Sequence, residues 1–347
     1  MGVILVKHTS MAELKDKIVL ITGADGGLAL PKLVLQSNTF YKMKTKFFLI
    51  LVSVLIGTNT FSQTKNGQSQ IDSVPFVTTS DNVKLYVKVS GKGPVCIYVH
   101  GGPGAWSKSF ENMKGNRLEK KLRMVYYDQR GCGRSAVATD KNYSLDRMVD
   151  DIEDIRRSLG EEKVYLLSHS FGGILAVSYA KKYPNHLRGL ILTNSTLNLN
   201  YSLEQQIKYI NHLINKNFAV QNADSLMSVF GAARSALSER GLDFKMLSDK
   251  KKTVELLDSI DNSYNRSTDF VKHLWDFPEY KEDFTKLTKN IEVPVLVITG
   301  KKDYAIGVDH YKAFHFPKQK VLSINGGHVL YYEQNKEFIK AVFSFID

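Results

Sequence analysis

Three residues in this chain have both the chemistry and the placement to cut an acyl bond: Ser170, Asp303 and His328. A serine hydroxyl attacks a carbonyl when a neighbouring base takes its proton, and the base works when an acid holds its ring. Ser170 lies in Ser168-His169-Ser170-Phe171-Gly172, between a β-type apolar run (164–167) and a stretch that reads as a helix (174–182). A serine at such a corner is strained, so the residues two positions away must be small, and Ser168 and Gly172 are. Phe171 then offers its N–H at a helix N-terminus, where unpaired donors and the helix dipole favour developing negative charge. The run 295–300 ends in Lys301-Lys302-Asp303, and the run 321–324 ends in Asn325-Gly326-Gly327-His328. Plainer accounts exist for each: serine and glycine make ordinary turns, Asp303 could start a turn, and His328 could cap the last helix. Asp309, His310 and His315 compete for the acid and base roles, but none directly follows a strand. His169 adjoins the serine, yet the corner would turn it away, which gives it a packing role. The joint occurrence of serine, acid and histidine, each at a strand end, favours catalysis.

The elements that must hold these residues are legible as alternating runs. Strands are expected at 76–79, 83–89, 94–99, 124–127, 164–169, 187–193, 293–299 and 321–324, with a polar helix near 145–159. Continuous apolar strands alternating with helices predict an α/β fold whose mostly parallel sheet is covered on both faces. Between 196 and 288 the pattern changes to helical apolar spacing with many charges (201–218, 223–240 and 249–261). Such an insertion is expected to cap the C-terminal edge of the sheet, where ligands bind. The body is thus expected in two parts, 64–195 and 289–347, around a helical cap at 196–288.

The chain has 347 residues, 43% of them hydrophobic and 11% aromatic, which suits an enzyme-sized globular protein. Its net charge of +12 is diffuse, with no basic run interleaved with aromatics, so a nucleic-acid partner is not expected. Two cysteines, Cys96 and Cys132, make no disulfide framework, no Cys/His spacing suggests zinc, and no metal or organic cofactor is called for. Met43-Lys44-Thr45-Lys46 followed by the apolar run 47–57 and the polar residues near Thr60-Phe61-Ser62 has the anatomy of a secretory signal, expected to span 43–63. The apolar run is too short for a permanent membrane anchor. Upstream, Gly23-x-x-x-Gly27-x-Ala29 after the strand-like 17–22 resembles the opening of short-chain dehydrogenases, but the resemblance stops at Pro31. Residues 1–42 are therefore read as a foreign or mis-started extension. Translation from Met43 implies a periplasmic or secreted protein, and retention of 1–42 a cytoplasmic one.

His100-Gly101-Gly102-Pro103-Gly104, Asp128-Gln129-Arg130-Gly131-Cys132-Gly133-Arg134-Ser135 and the Ser170 corner together resemble the proline iminopeptidase branch of α/β-hydrolases, across roughly 75–347. One departure is Ser168, where the family's Gly-x-Ser-x-Gly corner begins with glycine. The resemblance implies an α/β-hydrolase fold, with Ser170 as nucleophile, Asp303 as orienting acid, His328 as base, and Gly102 and Phe171 N–H groups as the oxyanion hole. It also implies acidic cap residues that hold the substrate's free α-amine. Glu204, Asp269, Asp276 and Glu279 are candidates for that role, and Trp275 with Phe277 could wall an apolar pocket.

The expected activity is release of N-terminal residues from small peptides. An esterase or lactonase on the same residues is the alternative, since fold does not fix substrate. A hydrolase-like binding protein whose serine does no chemistry, and a dinucleotide binder built on Gly23 to Ala29, are readings of other classes.

Overall fold

In the computed structural model the described residues are 76–347; the expected extension and signal segments lie outside them. The chain runs through β1 (Phe76–Thr78), β2 (Lys84–Ser90), β3 (Val95–Val99), α1 (Ser107–Asn112), β4 (Arg123–Tyr127), β5 (Cys132–Gly133), α2 (Leu145–Ser158), β6 (Val164–Ser170), α3 (Gly172–Lys182) and β7 (Leu187–Ser195). It continues through α4 (Leu199–Ile214), α5 (Leu226–Ser238), α6 (Lys251–Asp261), β8 (Ser267–Thr268), α7 (Asp269–His273), β9 (Val295–Gly300), β10 (Gln319–Ile324), α8 (Leu330–Glu333) and α9 (Asn335–Ile346).

Eight strands form one sheet in the order β1-β2-β4-β3-β6-β7-β9-β10. The pairs from β4 through to β10 are parallel, and β1 and β2 add an antiparallel edge. The continuous apolar runs follow from burial on both faces. On β3, Val95, Ile97 and Val99 join a core with α2 and α3, while Cys96 and Tyr98 join one with α1 and α9. Helix α2 begins where the Ser144 hydroxyl accepts the Arg147 N–H, and it carries Asp146 in its first turn and Arg156 and Arg157 in its last. Those charges complement the helix dipole.

The insertion after β7 divides by packing. Helices α4 and α5 build their own small core from Ile207, Ile210, Ile214, Leu226, Ala233 and Leu237. After α6 the chain turns back to the body, and β8 pairs antiparallel with β5. Phe270, Tyr280 and Phe284 then bury themselves in the same core as Phe171. The part of the expected cap beyond α6 therefore packs on the body, because its large aromatic residues find their burial there.

Candidate active site

Ser170 ends β6 and has φ of 52°, in the left-handed region. A non-glycine residue there costs roughly 1–2 kcal/mol, which the surrounding structure must enforce. Two strand ends do so: Ser170 pairs with Ser195 of β7, and its carbonyl accepts the Thr196 N–H at 3.0 Å. Helix α3 starts so close to the end of β3 that a Cβ on Gly172 would lie 2.2 Å from the Val99 carbonyl oxygen. Ser168 is accommodated because its hydroxyl finds the Ser195 hydroxyl at 2.9 Å.

Asp303 and His328 come from the loops after β9 and β10. His328 Nδ1 lies 3.0 Å from each Asp303 carboxylate oxygen, and both side chains are buried. A carboxylate can only accept, so Nδ1 carries the proton and Nε2 is left with the lone pair. Ser170, His328 and Gly102 line the same cavity.

The loop opposite the serine is locked from behind. The Gln129 N–H donates to His100 Nε2 at 2.9 Å, so the His100 Nδ1–H donates to the Gly101 carbonyl at 2.8 Å. Burial pushes the His100 ring below its ordinary pKa range and keeps it neutral. The Gly101–Gly102 peptide is planar, so fixing its carbonyl also fixes the direction of the Gly102 N–H. Among the described residues, neither the Gly102 N–H nor the Phe171 N–H donates to a protein acceptor. Asp128 anchors the support: it accepts from Ser107 N–H at 2.8 Å, Ser107 Oγ at 2.7 Å and Arg134 Nε at 2.8 Å. Burial alone would raise its carboxyl, but the bonds and charge of Arg134 outweigh that and hold it below the usual range. The Asp128–Ser135 stretch is thus scaffolding for the glycine loop.

Two cavities meet at Ser170. One, of about 590 Å³, is lined on the cap side by Arg234, Asp243, Lys251, Glu255 and Asp258. The other, of about 210 Å³, is largely aromatic, with Tyr98, Trp106, Phe110 and Tyr331 in its wall. Asp261 also reaches the smaller one, but its carboxylate is already engaged by Trp106 Nε1 at 2.8 Å, by Ser109 Oγ and by Arg266. Asp258 is different: partial loss of water at the cavity wall first, then the negative charges of Asp261 and Glu255, raise its carboxyl above the ordinary value.

The fold has counterparts among known proteins. Residues 94–334 match the alpha/beta hydrolase fold family. The chain belongs to that family. It is 28% identical over 285 residues to a proline iminopeptidase of Saccharolobus solfataricus, covering 76% of this chain and 88% of that one. Among solved structures, a proline iminopeptidase-related protein from Thermus thermophilus superposes with a TM-score of 0.65 at 20% identity, covering 78% of this chain and 95% of that one. An esterase from Exiguobacterium antarcticum gives 0.59, also at 20% identity, covering 78% and 98%. The protein is an α/β-hydrolase similar to proline iminopeptidases.

For this α/β-hydrolase the structure brings Ser170, His328, Asp303, Gly102 and Phe171 together, and it places the expected substrate-binding residues elsewhere. Glu204 lines a separate cavity with Asn200, Lys208 and Asn211. Trp275 packs against the main core with Phe277, and the Lys281 ammonium lies over its ring. Asp269 is taken by Lys141 and Tyr143, Asp276 by His273, and Glu279 by the Leu145 N–H. His310 is a buried acceptor for the Leu197 N–H at 2.8 Å. His169 does more than pack: its Nε2 donates to the His328 carbonyl at 2.9 Å, and burial lowers its pKa to about 3. Cys96 and Cys132 are free and buried.

Proposed function

We propose that this protein is a serine hydrolase that releases the N-terminal residue of short peptides through an acyl-enzyme on Ser170. His328 Nε2 takes the hydroxyl proton as Oγ attacks the carbonyl, and returns it to the leaving amine. Asp303 holds the imidazole and stabilises its charged form. The Gly102 and Phe171 N–H groups receive the oxyanion, a role worth about 10²–10³ in rate per donor. Water, activated by the same histidine, then frees the acid. The observation that carries this reading is His328 Nδ1 at 3.0 Å from both Asp303 oxygens, beside a left-handed Ser170.

The aminopeptidase assignment is supported by the similarity to proline iminopeptidases and by the two cavities. The smaller is below the ~300–1,000 Å³ of drug-sized sites and suits a single side chain. Asp258, a carboxylate with no side-chain partner among the described residues and crowded by other negative charges, would be relieved by a substrate ammonium, and we assign it the amine-binding role expected of a cap acid. The N-terminal signal-like segment supports export to the periplasm or beyond, checked by N-terminal sequencing of the mature protein.

The test is an aminoacyl-p-nitroanilide panel including proline, on the full chain and Ser170→Ala, with N-acetylated substrates as control. Release that needs both a free amine and Ser170 is expected. The second reading, an esterase or lactonase, is favoured by the apolar wall of the smaller cavity, which would take a plain acyl group. Inert anilides with p-nitrophenyl esters cleaved at Ser170 would establish it. No labelling of Ser170 by a fluorophosphonate would overturn both.

A further inference from the structure

Asn194 stands near the end of β7, beside β9, whose loop carries the acid, and two strands from β10, whose loop carries the base. Its backbone is left-handed (φ 43°), which asparagine tolerates better than most residues. Its side chain is buried, and three hydrogen bonds define its orientation. Nδ2 donates to the Gly327 carbonyl at 2.8 Å and to the His328 carbonyl at 2.9 Å, while Oδ1 accepts the Gly300 N–H at 2.7 Å. Gly300 opens the loop that carries Asp303, and Gly327 and His328 form the loop that carries the base. One amide therefore spans both loops through their main chains. Both of its N–H groups are spent on the His328 loop, which only an amide at this position achieves while also accepting from the other loop.

His169 Nε2 adds a second donor to the His328 carbonyl, with the two rings 4.6 Å apart. On the other side, the His328 N–H donates to the Leu247 carbonyl of the insertion at 2.9 Å. The peptide groups flanking the imidazole are thus held from beneath by Asn194 and from above by the insertion.

We propose that Asn194 is a positioning residue: its amide keeps the Asp303 and His328 loops in one register, so that the imidazole retains both carboxylate contacts as it moves a proton. The inference rests on the serine-hydrolase reading above. An aspartate at 194 has the same shape and backbone tolerance but turns a carboxylate oxygen toward two carbonyls. A glycine keeps the left-handed backbone and removes the clamp.

The test compares Asn194→Gly and Asn194→Asp with the native full chain, with rates expressed per Ser170 titrated by fluorophosphonate so that unfolded protein does not count. A displacement of about 1 Å at a reacting group can cost about 10²-fold. The expected result is a fall in kcat of about 10- to 100-fold for both variants, KM within about threefold, a shifted acid limb of the kcat/KM profile, and loss or displacement of the downfield proton resonance of His328 Nδ1–H. A purely structural role would lower thermal stability and leave all four per-site readouts unchanged, and that result would overturn the proposal. Should Asn194→Gly not fold, the isosteric Asn194→Asp carries the same comparison. A native protein that neither turns over nor labels instead removes the hydrolase reading itself.

Discussion

The floor of the site and the insertion above it are built by different means. In the floor, Ser170, Asn194, Asp303 and His328 all sit where parallel strands end, and the main chain dictates where their side chains go. In the insertion, α4 and α5 rest on an apolar cluster of their own, and α6 presents Glu255 and Asp258 to the cavity as exposed side chains. Among the bonds that join the two regions are Leu247 to His328, Asp249 to Lys302, Asp261 to Trp106 and Gln206 to the Ala305 carbonyl. The difference teaches where change is tolerated. Floor residues are fixed by strand geometry and fail together, whereas cap side chains can alter substrate choice without moving the chemistry.

That contrast can be broken or sharpened by a graded series. Ser170→Ala should remove turnover by a factor on the order of 10⁶ in kcat while leaving the fold intact, measured by anilide release and circular dichroism. Asp303→Asn should keep the geometry but favour the wrong imidazole tautomer, lowering kcat about 10⁴-fold. Asp258→Asn belongs to the other region: KM for free-amine substrates should rise about tenfold, with kcat nearly constant and N-acetylated substrates unaffected, as befits one charge-assisted bond. A matching fall in kcat for both substrate types would place Asp258 with the floor and dissolve the distinction.

Besides His100, two buried histidines stay neutral, one beside the nucleophile and one in the body under α4. Burial lowers His169 in the floor to about 3, and His310 beneath α4 to about 4, from an ordinary 6.5. Below that ordinary value the unfolded chain takes up protons that the folded one refuses, so stability is complete above about pH 6.5 and falls as pH drops toward 4. Thermal unfolding between pH 8 and 4 should show this, and His310→Gln should flatten part of the slope. Smallest of all, Ser168→Ala should cost about 0.5–1.5 kcal/mol in urea unfolding, through loss of the Ser195 hydroxyl contact, with kcat unchanged.

The floor was legible in the sequence because each of its residues follows an apolar run. The strand positions and the meeting of Ser170, His328 and Asp303 follow from that rule, while the helices at 145–159 and 249–261 follow from their helical spacing. Asn194 obeys it too, coming after the apolar run 187–193, but an asparagine at a strand end signals nothing until its three partners are seen. The cap residues were not legible for a physical reason. Glu204, Glu255 and Asp258 are all carboxylates on charged amphipathic helices, and only the rotation of each helix about its axis decides which faces Ser170. Trp275 went to the core because the chain beyond α6 turns back to the body, guided by the β5–β8 pairing that no local pattern announces.

The left-handed backbone of Ser170 has a consequence for how such a protein changes over time. Ser170→Gly would relax that residue and, after the unfolded-chain entropy glycine adds, should raise stability by up to about 1 kcal/mol, while removing the hydroxyl. Mutational drift guided by stability alone would run downhill toward glycine. A serine at this corner is an imprint that folding by itself would not leave, and losing it is a one-step, stabilising path to a silent relative with the same shape.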